Sequence, residues 1–444
     1  MKKILLIGNS PLPTDNASTR PAAGLRTYQF IKALENAKIS FEIATIAMDK
    51  KCEKYNKSHL IIDKSDIKID KKLQTKVDKT KPDIIIAVNT YPSYLACKLQ
   101  TTAAIWTDLN GWIMAEAQAQ AFKSKSNSFL NHYHNIEKTI ITRTDKISTV
   151  SDMQNHTILG ELATYGRLNR ETFGYNFVET IENATTWFKE EKKQFVLDTK
   201  SSDKIDKSKF NLLWLGGYNT WADTETLFAG LETAMKAQED IYYISTGGQI
   251  AGLDDTSFNR FLQKIEKSKL KDRFIFLGWI KTEEIPSIYR KATVGLNIDK
   301  MCYETTTGAR NRINEMMKFG LPVLTTAGSE IAGALDIAEA GVKIKSGDSK
   351  ELAKAILEIY ADWEKGGEKL AKYGENGEKY TKKIGNYNTT CKILIDWIKD
   401  SMRAPDADVK VSLNKKFTLT SVGKYLKDNG VKKTLRKILQ KIGV

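Results

Sequence analysis

The sequence predicts an α/β protein in which two parallel, doubly wound sheets follow one another along the chain. Short apolar runs alternate with amphipathic helical segments over residues 1–190, and the alternation starts again over residues 210–385. Between them, residues 191–209 lose this periodicity and are dense in lysine and aspartate, which indicates a linker. Because such sheets bind ligands at the carboxyl ends of their strands, we expect a site in the cleft between the two domains.

The first series is predicted to form the N-terminal domain. A buried strand over residues 1–9 leads through a small-residue loop to a helix that starts at Leu25. Further strands are predicted at residues 40–46, 83–88 and 145–151. Asp108 stands at the end of another strand, where it either faces the cleft or caps the helix that follows.

The second series is predicted to form the C-terminal domain. Its strands are expected at residues 210–215, 241–245, 274–277, 294–298 and 321–325. Glycine pairs follow two of these strands, at Gly216-Gly217 and Gly247-Gly248. Helices near residues 349–363 and 368–380 complete a Rossmann-like domain, and a closing helix over residues 386–402 follows it.

A hydroxyl-rich turn and the helix after it form a candidate phosphate site. The turn consists of Thr305, Thr306, Thr307 and Gly308, and the helix carries Arg310, Arg312 and Glu315. A helix N-terminus offers unpaired N–H groups and a positive dipole end, and neighbouring hydroxyls and arginines suit a diphosphate. Polar first turns also occur in α/β proteins without any such site, so the residues alone leave both interpretations open.

Charge and cysteine usage narrow the class of protein. The formal net charge of +15 permits nucleic acid, an anionic membrane or an acidic substrate as partner. No run approaches the roughly eighteen apolar residues of a membrane span, and the basic start of the chain leads into a strand rather than a signal peptide. Four cysteines without CxxC spacing predict neither disulfides nor a zinc site, so we expect a cytoplasmic protein.

Residues 403–444 are predicted to form a basic tail, with an amphipathic helix within residues 415–444. Its apolar positions are Val431, Leu435, Ile438, Leu439 and Ile442, and its basic positions are Lys432, Lys433, Arg436, Lys437 and Lys441. Near an anionic membrane each cation contributes on the order of 1 kcal/mol, so five offer roughly 5 kcal/mol. The alternative is a helix packed on its own protein or in a dimer. Nucleic acid is disfavoured, because few aromatic residues are interleaved with the basic ones.

Four segments of the C-terminal domain resemble the signatures of a known family. They are LWLGGYNTWADTETLFAGL from Leu213, STGGQ from Ser245, FLGWIKTEEIPSIYRKATVGLNI from Phe276 and NEMMKFGLPVLTT from Asn314. Similar segments occur in nucleotide-sugar-dependent glycosyltransferases with two facing Rossmann-like domains, the GT-B fold, and within them in family 4. The resemblance covers roughly residues 1–402 and is strongest from Leu213 to Thr326.

The resemblance implies a nucleoside-diphosphate sugar as the donor, bound by the C-terminal domain. In the family, the helix of the last signature points its N-terminus at the diphosphate, and a glutamate five residues before the glycine binds the ribose. Glu315 stands in that position before Gly320. Its two oxygens can accept both hydroxyl protons of a ribose, and an exposed helix glutamate without a role is the alternative. The residues implied to lie along the donor also include Gly216, Gly217, Gly247 and Gly248.

The sequence departs from the family at three charged positions. Thr307 stands where the family has a glutamate that contacts the donor sugar, and Glu304 is the nearest acid. Gly217 and Ala222 occupy the positions of an arginine and a lysine that hold the diphosphate.

These departures leave the diphosphate without its usual cations. The departing group still needs positive charge, and Arg310 lies nearest the start of the helix, so we predict that Arg310 supplies this charge. Arg312 is expected either to assist it or to tie down Glu304 or another carboxylate. Arg310 and Glu304 are therefore predicted among the catalytic residues.

The acceptor side of the predicted site belongs to the N-terminal domain. The loop between Asn9 and Leu25 resembles the family's glycine-containing loop, with Gly24 at the close approach to a ligand and Arg26 just after it. Asp108 falls near the position where many relatives carry a catalytic-site histidine, so we predict that it orders the acceptor hydroxyl or the donor sugar. The four histidines lie outside the expected loops and are predicted at the surface.

The resemblance implies a hexosyltransferase that moves a sugar to a glycan or lipid-linked acceptor, with retention of anomeric configuration. Surface polysaccharide or glycoconjugate synthesis at the inner face of the cell membrane fits a basic tail. We expect neither a metal nor a cofactor beyond the donor. Two alternatives stay open: a nucleotide-sugar epimerase, and a non-catalytic partner subunit of the same fold, which the missing charges favour.

Overall fold

Two α/β domains make up most of the structure, a computed structural model that describes residues 2–13, 21–49, 52–187, 191–250, 254, 256–409 and 419–442. Each domain is built on one parallel sheet. The prediction of two Rossmann-like domains in series is thereby confirmed.

The N-terminal domain has a seven-stranded sheet among its described residues. Its elements are β1 (Ile4–Ser10), α1 (Ala22–Asn36), β2 (Glu42–Ala47), β3 (Leu60–Asp63), α2 (Ile69–Thr80), β4 (Ile84–Val88), α3 (Thr90–Lys98), β5 (Ala104–Leu109), α4 (Ile113–Ser124), α5 (Leu130–Arg143), β6 (Lys146–Thr149), α6 (Asp152–Thr164) and β7 (Val178–Thr180). The strand order is β3-β2-β1-β4-β5-β6-β7. All seven residues of β1 are buried, because Leu5 and Ile7 join one apolar cluster and Ile4 and Leu6 join another on the opposite face.

The C-terminal domain has a six-stranded sheet in the order β10-β9-β8-β11-β12-β13. Its elements are α7 (Glu191–Phe195), β8 (Phe210–Trp214), α8 (Thr224–Ala237), β9 (Ile241–Thr246), α9 (Ser257–Glu266), β10 (Phe274–Gly278), α10 (Ile285–Lys291), β11 (Val294–Asn297), α11 (Tyr303–Thr307), α12 (Asn311–Lys318), β12 (Val323–Thr326), α13 (Glu330–Ala338), β13 (Gly341–Ile344), α14 (Ser349–Glu364) and α15 (Glu368–Lys383). The strand order reverses between β8 and β11, which is where sheets of this type bind ligands.

The stretch predicted as a linker packs on the C-terminal domain. The ring of Phe195 in α7 stacks on that of Phe319, with 5.5 Å between centroids. The carboxylate of Glu191 lies 3.0 Å from the Nζ atom of Lys318. Residues 191–195 therefore belong with the C-terminal domain in structural terms.

After α15 the chain returns to the N-terminal domain through α16 (Tyr387–Thr390) and α17 (Lys392–Lys399). Leu394 and Ile398 join the apolar cluster on one face of the first sheet, and the indole rings of Trp397 and Trp106 meet edge to face at 5.1 Å. Thr185 lies where the chain leaves the N-terminal domain and Gly385 where it returns, and the N–H of Thr185 donates to the carbonyl of Gly385 at 3.0 Å. The two segments that connect the domains therefore run side by side at this point.

The segment after α17 also packs on the N-terminal domain. The Nε atom of Arg167 lies 2.7 Å from Oδ2 of Asp406, and both side chains are nearly inaccessible to solvent. The N–H of Ala404 donates to Asp145 at 2.9 Å. The predicted tail therefore starts later than residue 403.

The described residues of the predicted tail include α18 (Leu419–Ile442), which bends at Gly430, and its amphipathic character stays a prediction. Val431 and Leu435 are 63% and 54% exposed. The side chains of the predicted positions Lys437, Leu439, Lys441 and Ile442 lie outside the described part of the helix. No helix among the described residues is both long and apolar enough to cross a membrane. Surface docking of α18 stays a prediction.

Candidate functional site

A cavity of about 750 Å³ lies between the two domains, beside the carboxyl ends of β8 and β9. Most of its lining comes from the C-terminal domain, and the N-terminal domain contributes Pro21, Ala22 and Leu25 at the start of α1. A cleft of this size at a domain interface is the expected place for a substrate. The cavity therefore lies in the cleft between the domains, where the sequence predicts a site.

Two of the predicted glycine positions after β8 and one after β9 line this cavity. Gly216 and Gly247 adopt positive φ angles of 92° and 78°, and a Cβ atom on Gly247 would lie 2.4 Å from the carbonyl carbon of Gly216. A Cβ atom on Gly217 would lie 2.4 Å from the side chain of Ile250. Larger residues would not fit this close approach of two turns. Gly248 is not part of the lining, and its carbonyl accepts the N–H of Tyr218 at 3.1 Å.

Glu315 of α12 lines the cavity, as the sequence analysis expected of a ligand-binding residue. Its Oε2 atom lies 2.7 Å from the Nζ atom of Lys318, and the hydroxyl of Thr185 donates to its Oε1 atom. Lys318 is itself buried and also pairs with Glu191 at 3.0 Å. These contacts fix the orientation of Glu315, and each oxygen keeps a lone pair for a ligand hydroxyl.

One end of the cavity is apolar. Tyr289 and Phe319 stack with 4.6 Å between ring centroids, and Trp279, Ile280, Ile285 and Pro286 complete the surface. The Tyr289 hydroxyl is buried without a hydrogen-bond partner in the described part of the chain, and burial raises its pKa well above the usual value. Such a chamber suits a flat ring that carries a polar edge. Trp279 and Tyr289 lie within the FLGWIKTEEIPSIYRKATVGLNI segment, which could have pointed to them as site residues.

Arg310, predicted to supply charge to the diphosphate, does not line the cavity. It stands before α12 as its N-cap residue and is buried. Its Nε atom lies 2.7 Å from Oδ2 of Asp299, and its Nη2 atom 2.7 Å from Oε2 of Glu304. Burial alone would lower the pKa of Arg310, but these two carboxylates raise it above its usual value. Two of the three predicted catalytic residues, Arg310 and Glu304, thus bind each other, and the third, Asp108, lies in the other domain.

The hydroxyl-rich turn also lies away from the cavity. Residues 303–307 form the short helix α11, in which the hydroxyls of Thr306 and Thr307 donate to carbonyls one turn earlier and that of Thr305 lies against Cys302. A Cβ atom on Gly308 would lie 2.6 Å from the carbonyl oxygen of Glu304. Thr305, Thr306, Thr307 and Gly308, which are predicted at the diphosphate, therefore do not line the cavity. Instead, the carbonyl of Thr307 accepts the hydroxyl of Ser151 across the domain interface at 2.6 Å.

Arg312, two residues further on, does line the cavity. Its guanidinium carbon lies 4.7 Å above the ring of Trp214, and its Nη2 atom makes one long contact of 3.4 Å with the carbonyl of Gly217. Its Nη1 atom is buried and has no partner among the described residues. The prediction for Arg312 left open whether it assists Arg310 at the diphosphate or binds Glu304 or another carboxylate, and the contact with Glu304 is made by Arg310.

Asp108 and Arg26, both predicted to face the acceptor, bind each other in the interior of the N-terminal domain. Their side chains are fully inaccessible, with Asp108 Oδ1 2.6 Å from Arg26 Nη2 and Oδ2 3.0 Å from Arg26 Nε. The hydroxyl of Ser148 donates to Asp108 at 2.7 Å, and Arg26 also donates to the carbonyl of Ile181 at 2.7 Å. This pair joins β5, β6 and α1 to the segment after β7. Neither residue reaches the cavity.

Two further predictions on the acceptor side concern Gly24 and the loop that precedes it. A Cβ atom on Gly24 would lie 2.0 Å from the carbonyl oxygen of Pro11, so this glycine allows an approach to the protein's own backbone. Residues 14–20 of the predicted acceptor loop lie outside the described residues. His59, predicted at the surface, is buried, and burial lowers its pKa to about 4.

A buried pair of carboxyl groups lies in the N-terminal domain near the interface. Glu137 of α5 and Glu161 of α6 interact, and the indole N–H of Trp112 donates to Glu161 at 2.9 Å. Burial, followed by the proximity of Glu161, raises the pKa of Glu137. The ring of Trp112 meets that of Tyr303 from the C-terminal domain at 6.2 Å. Sequence spacing gave no signal for this pair, because its members lie on different helices.

Among the described residues, no group of three or more His, Cys, Asp or Glu side chains is arranged to hold a metal ion. The expectation of metal-independent action stays a prediction.

Residues 209–362 match the family described as Glycosyl transferases group 1. These residues include the glycine turns, Arg312 and Glu315. A comparison with curated proteins found no match. The C-terminal domain therefore resembles the group 1 glycosyltransferases.

Several solved structures share the fold over most of the chain. Sucrose-phosphate synthase from Thermosynechococcus elongatus has a TM-score of 0.66 at 15% identity, with 90% of this chain and 99% of that chain covered. HepE from Anabaena, in complex with UDP-glucose, has a TM-score of 0.63 at 14% identity, with 90% and 100% covered. The N-terminal domain of trehalose-6-phosphate phosphatase from Candida albicans has a TM-score of 0.67 at 14% identity, with 90% and 97% covered. The chain has the GT-B fold and resembles glycosyltransferases of family 4.

Proposed function

We propose that this protein transfers a hexosyl group from a nucleoside-diphosphate sugar to a glycan or lipid-linked acceptor, with retention of anomeric configuration. The observation that carries the proposal is the cavity between the domains, where Glu315, two glycine turns and the start of α12 meet. The match of residues 209–362 to group 1 glycosyltransferases supports the same conclusion. So does the presence of UDP-glucose in the HepE structure, which shares the fold.

The two ends of the cavity suggest how the donor lies. The base would pack in the apolar chamber against Trp279 and Tyr289, and Glu315 would accept hydrogen bonds from the ribose hydroxyls. The diphosphate would then reach the glycine turns and the first N–H groups of α12, which have no partners within the helix. The sugar would extend from there toward the start of α1.

The acceptor is proposed to enter from the side of the N-terminal domain, past Pro21, Ala22 and Leu25. The carboxylates of Asp108 and Glu304 are both paired with buried arginines, so neither is free to take the acceptor's proton. This supports attack on the same face as the departing group. The sugar–phosphate bond breaks, the glycosidic bond forms, and a phosphate oxygen of the leaving diphosphate takes the acceptor's proton. Arg310 and Glu304 would act as positioning residues, because they hold α11 against the start of α12.

We further propose that the protein works at the cytoplasmic face of a membrane in surface polysaccharide or glycoconjugate synthesis. The support is α18, which exposes Val431 and Leu435 beside Lys432, Lys433 and Arg436. Apolar burial and cation attraction together allow reversible docking on anionic lipid. An acceptor anchored in the same membrane would then be concentrated at the site.

The first test is a ligand screen on the full chain. UDP, GDP and ADP, each with matching nucleotide sugars, should include one that raises the melting temperature, since a ligand at one hundred times its Kd adds about 2.7 kcal/mol of stability. The stabilising nucleotide sugar, mixed with membrane extract or lipid-linked oligosaccharide, should yield a glycosylated acceptor. Conversion of the sugar without acceptor would favour an epimerase. The lack of stabilisation by any nucleoside diphosphate would favour a non-catalytic partner.

The second test addresses Glu315. Glu315→Ala should weaken binding of the nucleoside and of the nucleoside diphosphate equally, because both contain the ribose. Glu358→Ala on the exposed surface of α14 is the matched control, since its side chain is 66% accessible and far from the cavity lining. Equal affinities in the Glu315→Ala variant and the control would contradict the assignment of Glu315 to the ribose.

A further inference from the structure

We propose that Arg312 is the cation that binds the donor's diphosphate, in place of the two basic residues that this chain lacks after β8. The inference rests on the proposed function and assigns the phosphate subsite within it. Residues 215–222 contain no lysine or arginine, and Gly217 and Ala222 stand at the positions expected to be basic. Arg312 reaches the same loop from α12, because its Nη2 atom contacts the carbonyl of Gly217 at 3.4 Å.

The guanidinium of Arg312 lacks the hydrogen bonds that a buried cation normally makes. Its Nη1 atom is buried and unpartnered in the described part of the chain, and its Nη2 contact is long for a hydrogen bond. None of the ion pairs formed by the described residues includes Arg312. Burial lowers its pKa, whereas two carboxylates raise that of Arg310. An anion in the cavity would satisfy donors that the protein leaves open.

The surroundings of Arg312 orient the group and keep it available. The guanidinium carbon lies 4.7 Å above the ring of Trp214, which limits the rotation of the side chain and attracts its charge. Glu315, the nearest carboxylate on the same helix, is engaged by Lys318 and Thr185 and is not bound to Arg312. The arginine therefore stays open to the cavity.

The spacing along α12 matches the chemistry of a nucleotide. Arg312 and Glu315 are three residues apart, so they lie on one side of the helix about 4.5 Å apart along its axis. A ribose and the phosphate attached to it are neighbours at a similar distance. The carboxylate would bind the hydroxyl-bearing part of the donor and the guanidinium the anionic part. Arg312 also lies in the first turn, where free N–H groups and the helix dipole favour the same charge.

Charge at this position would act on the leaving group. As the sugar–phosphate bond breaks, negative charge accumulates on the diphosphate, and a fixed guanidinium beside it stabilises that charge. Arg312 should therefore affect both the binding of the diphosphate and the rate of transfer. A lysine would keep the charge but lose the paired N–H groups and the stacking on Trp214.

The test compares a series of ligands that differ only in phosphate number. Affinities for the nucleoside, its monophosphate and its diphosphate are measured by calorimetry for the wild type, Arg312→Lys and Arg312→Met. We expect Arg312→Met to lose roughly 10- to 100-fold in diphosphate affinity, with nucleoside affinity unchanged, and about 10²-fold in kcat for transfer or donor hydrolysis. The diphosphate affinity and the kcat of Arg312→Lys should lie between those of the wild type and those of Arg312→Met. Urea unfolding of each variant establishes that it is folded.

Three results would overturn the assignment. Equal losses for nucleoside and diphosphate would mean that Arg312 only maintains the cavity, and unchanged diphosphate affinity would mean that it does not touch the ligand. In both cases the wild type would still bind the nucleotide, so the proposed function would stand. If the wild type binds no member of the series, both proposals fail together.

Discussion

The two sides of the interdomain cleft differ in whether a buried arginine is paired with a carboxylate. On the N-terminal side, Asp108 and Arg26 are bound to each other with all their charge satisfied inside the domain. On the C-terminal side, Arg312 lines the cavity with a buried nitrogen that has no partner among the residues the structure describes. The same contrast occurs within three residues of one segment, where Arg310 has two carboxylate partners. Among these arginines, the satisfaction of hydrogen bonds, rather than proximity to a strand end or a helix start, separates structural residues from the candidate ligand-binding one.

The largest effect should come from breaking the buried ion pair between Asp108 and Arg26. Asp108→Ala leaves the Arg26 guanidinium buried without its carboxylate, which costs about 3–5 kcal/mol. Urea unfolding should show this loss, and Arg26→Met should show a loss of similar size. The double variant should lose less than the sum, because both single changes break one pair. A stable Asp108→Ala protein with reduced turnover would instead make Asp108 part of the reaction.

The next effect concerns the close approach of the two glycine turns. Gly247→Ala adds a Cβ atom 2.4 Å from the Gly216 backbone, at a φ angle of 78° that alanine rarely adopts. The strain should cost about 1–3 kcal/mol and should also weaken nucleotide binding, because the turns that line the cavity must separate. Gly160→Ala in α6 is the matched control, since a Cβ atom there meets nothing within 4 Å. Calorimetry and urea unfolding measure both quantities, and equal nucleotide affinity in the two variants would contradict the role of the turns.

The third prediction concerns how the stability of the protein depends on pH through the buried pair Glu137 and Glu161. Burial raises the pKa of Glu137 beside Glu161, so the folded protein holds a proton that the unfolded chain releases. Its contribution to stability is complete below the unfolded pKa of about 4.5 and is lost as the pH rises toward the folded pKa. Glu137→Gln should therefore be more stable than the wild type by about 1–2 kcal/mol at pH 8 and nearly equal at pH 4.5. Glu358→Gln, an exposed control, should show no such pH-dependent difference from the wild type. If the stability difference between Glu137→Gln and the wild type is the same at both pH values, the raised pKa of Glu137 is contradicted.

The smallest effect should come from α18, which exposes apolar side chains such as Leu435. Leu435→Ser should leave unfolding unchanged within about 0.5 kcal/mol, because the side chain is 54% exposed. Binding to vesicles that contain anionic lipid should weaken by about 1 kcal/mol, roughly fivefold, through the loss of apolar burial. Flotation measures this, with Leu426→Ser in the first half of the helix as comparison. A destabilised variant with unchanged vesicle binding would show that α18 packs on protein instead.

The sequence predicts the fold well because the pattern of apolar residues determines it locally. The run Ile4–Ile7 places alternate side chains on both faces of β1, and Glu315 keeps its position relative to Gly320 because both lie at one helix end. The short strands β3, β7 and β13 were not predicted, because they lie at sheet edges and most of their residues are only partly buried, which weakens the apolar signal.

Partners are harder to predict than elements. Arg26 and Asp108 are separated by 82 residues, and only the packing of α1 on the sheet brings them together. The choice between Arg310 and Arg312 depends on where the chain enters α12, and the cap at Arg310 turns its side chain toward Asp299. Nearness to the helix start favours Arg310 in the sequence, but Arg312 is the arginine that lines the cavity.

The return of the chain to the N-terminal domain has a consequence for how the protein is made. Leu394 and Ile398 fill the core beneath the first sheet, yet the ribosome synthesises them only after the whole C-terminal domain. During translation, the part of the first sheet's face that α17 covers therefore stays exposed until the second domain has been synthesised. A nascent chain stalled before residue 392 is expected to display that part of the face to chaperones.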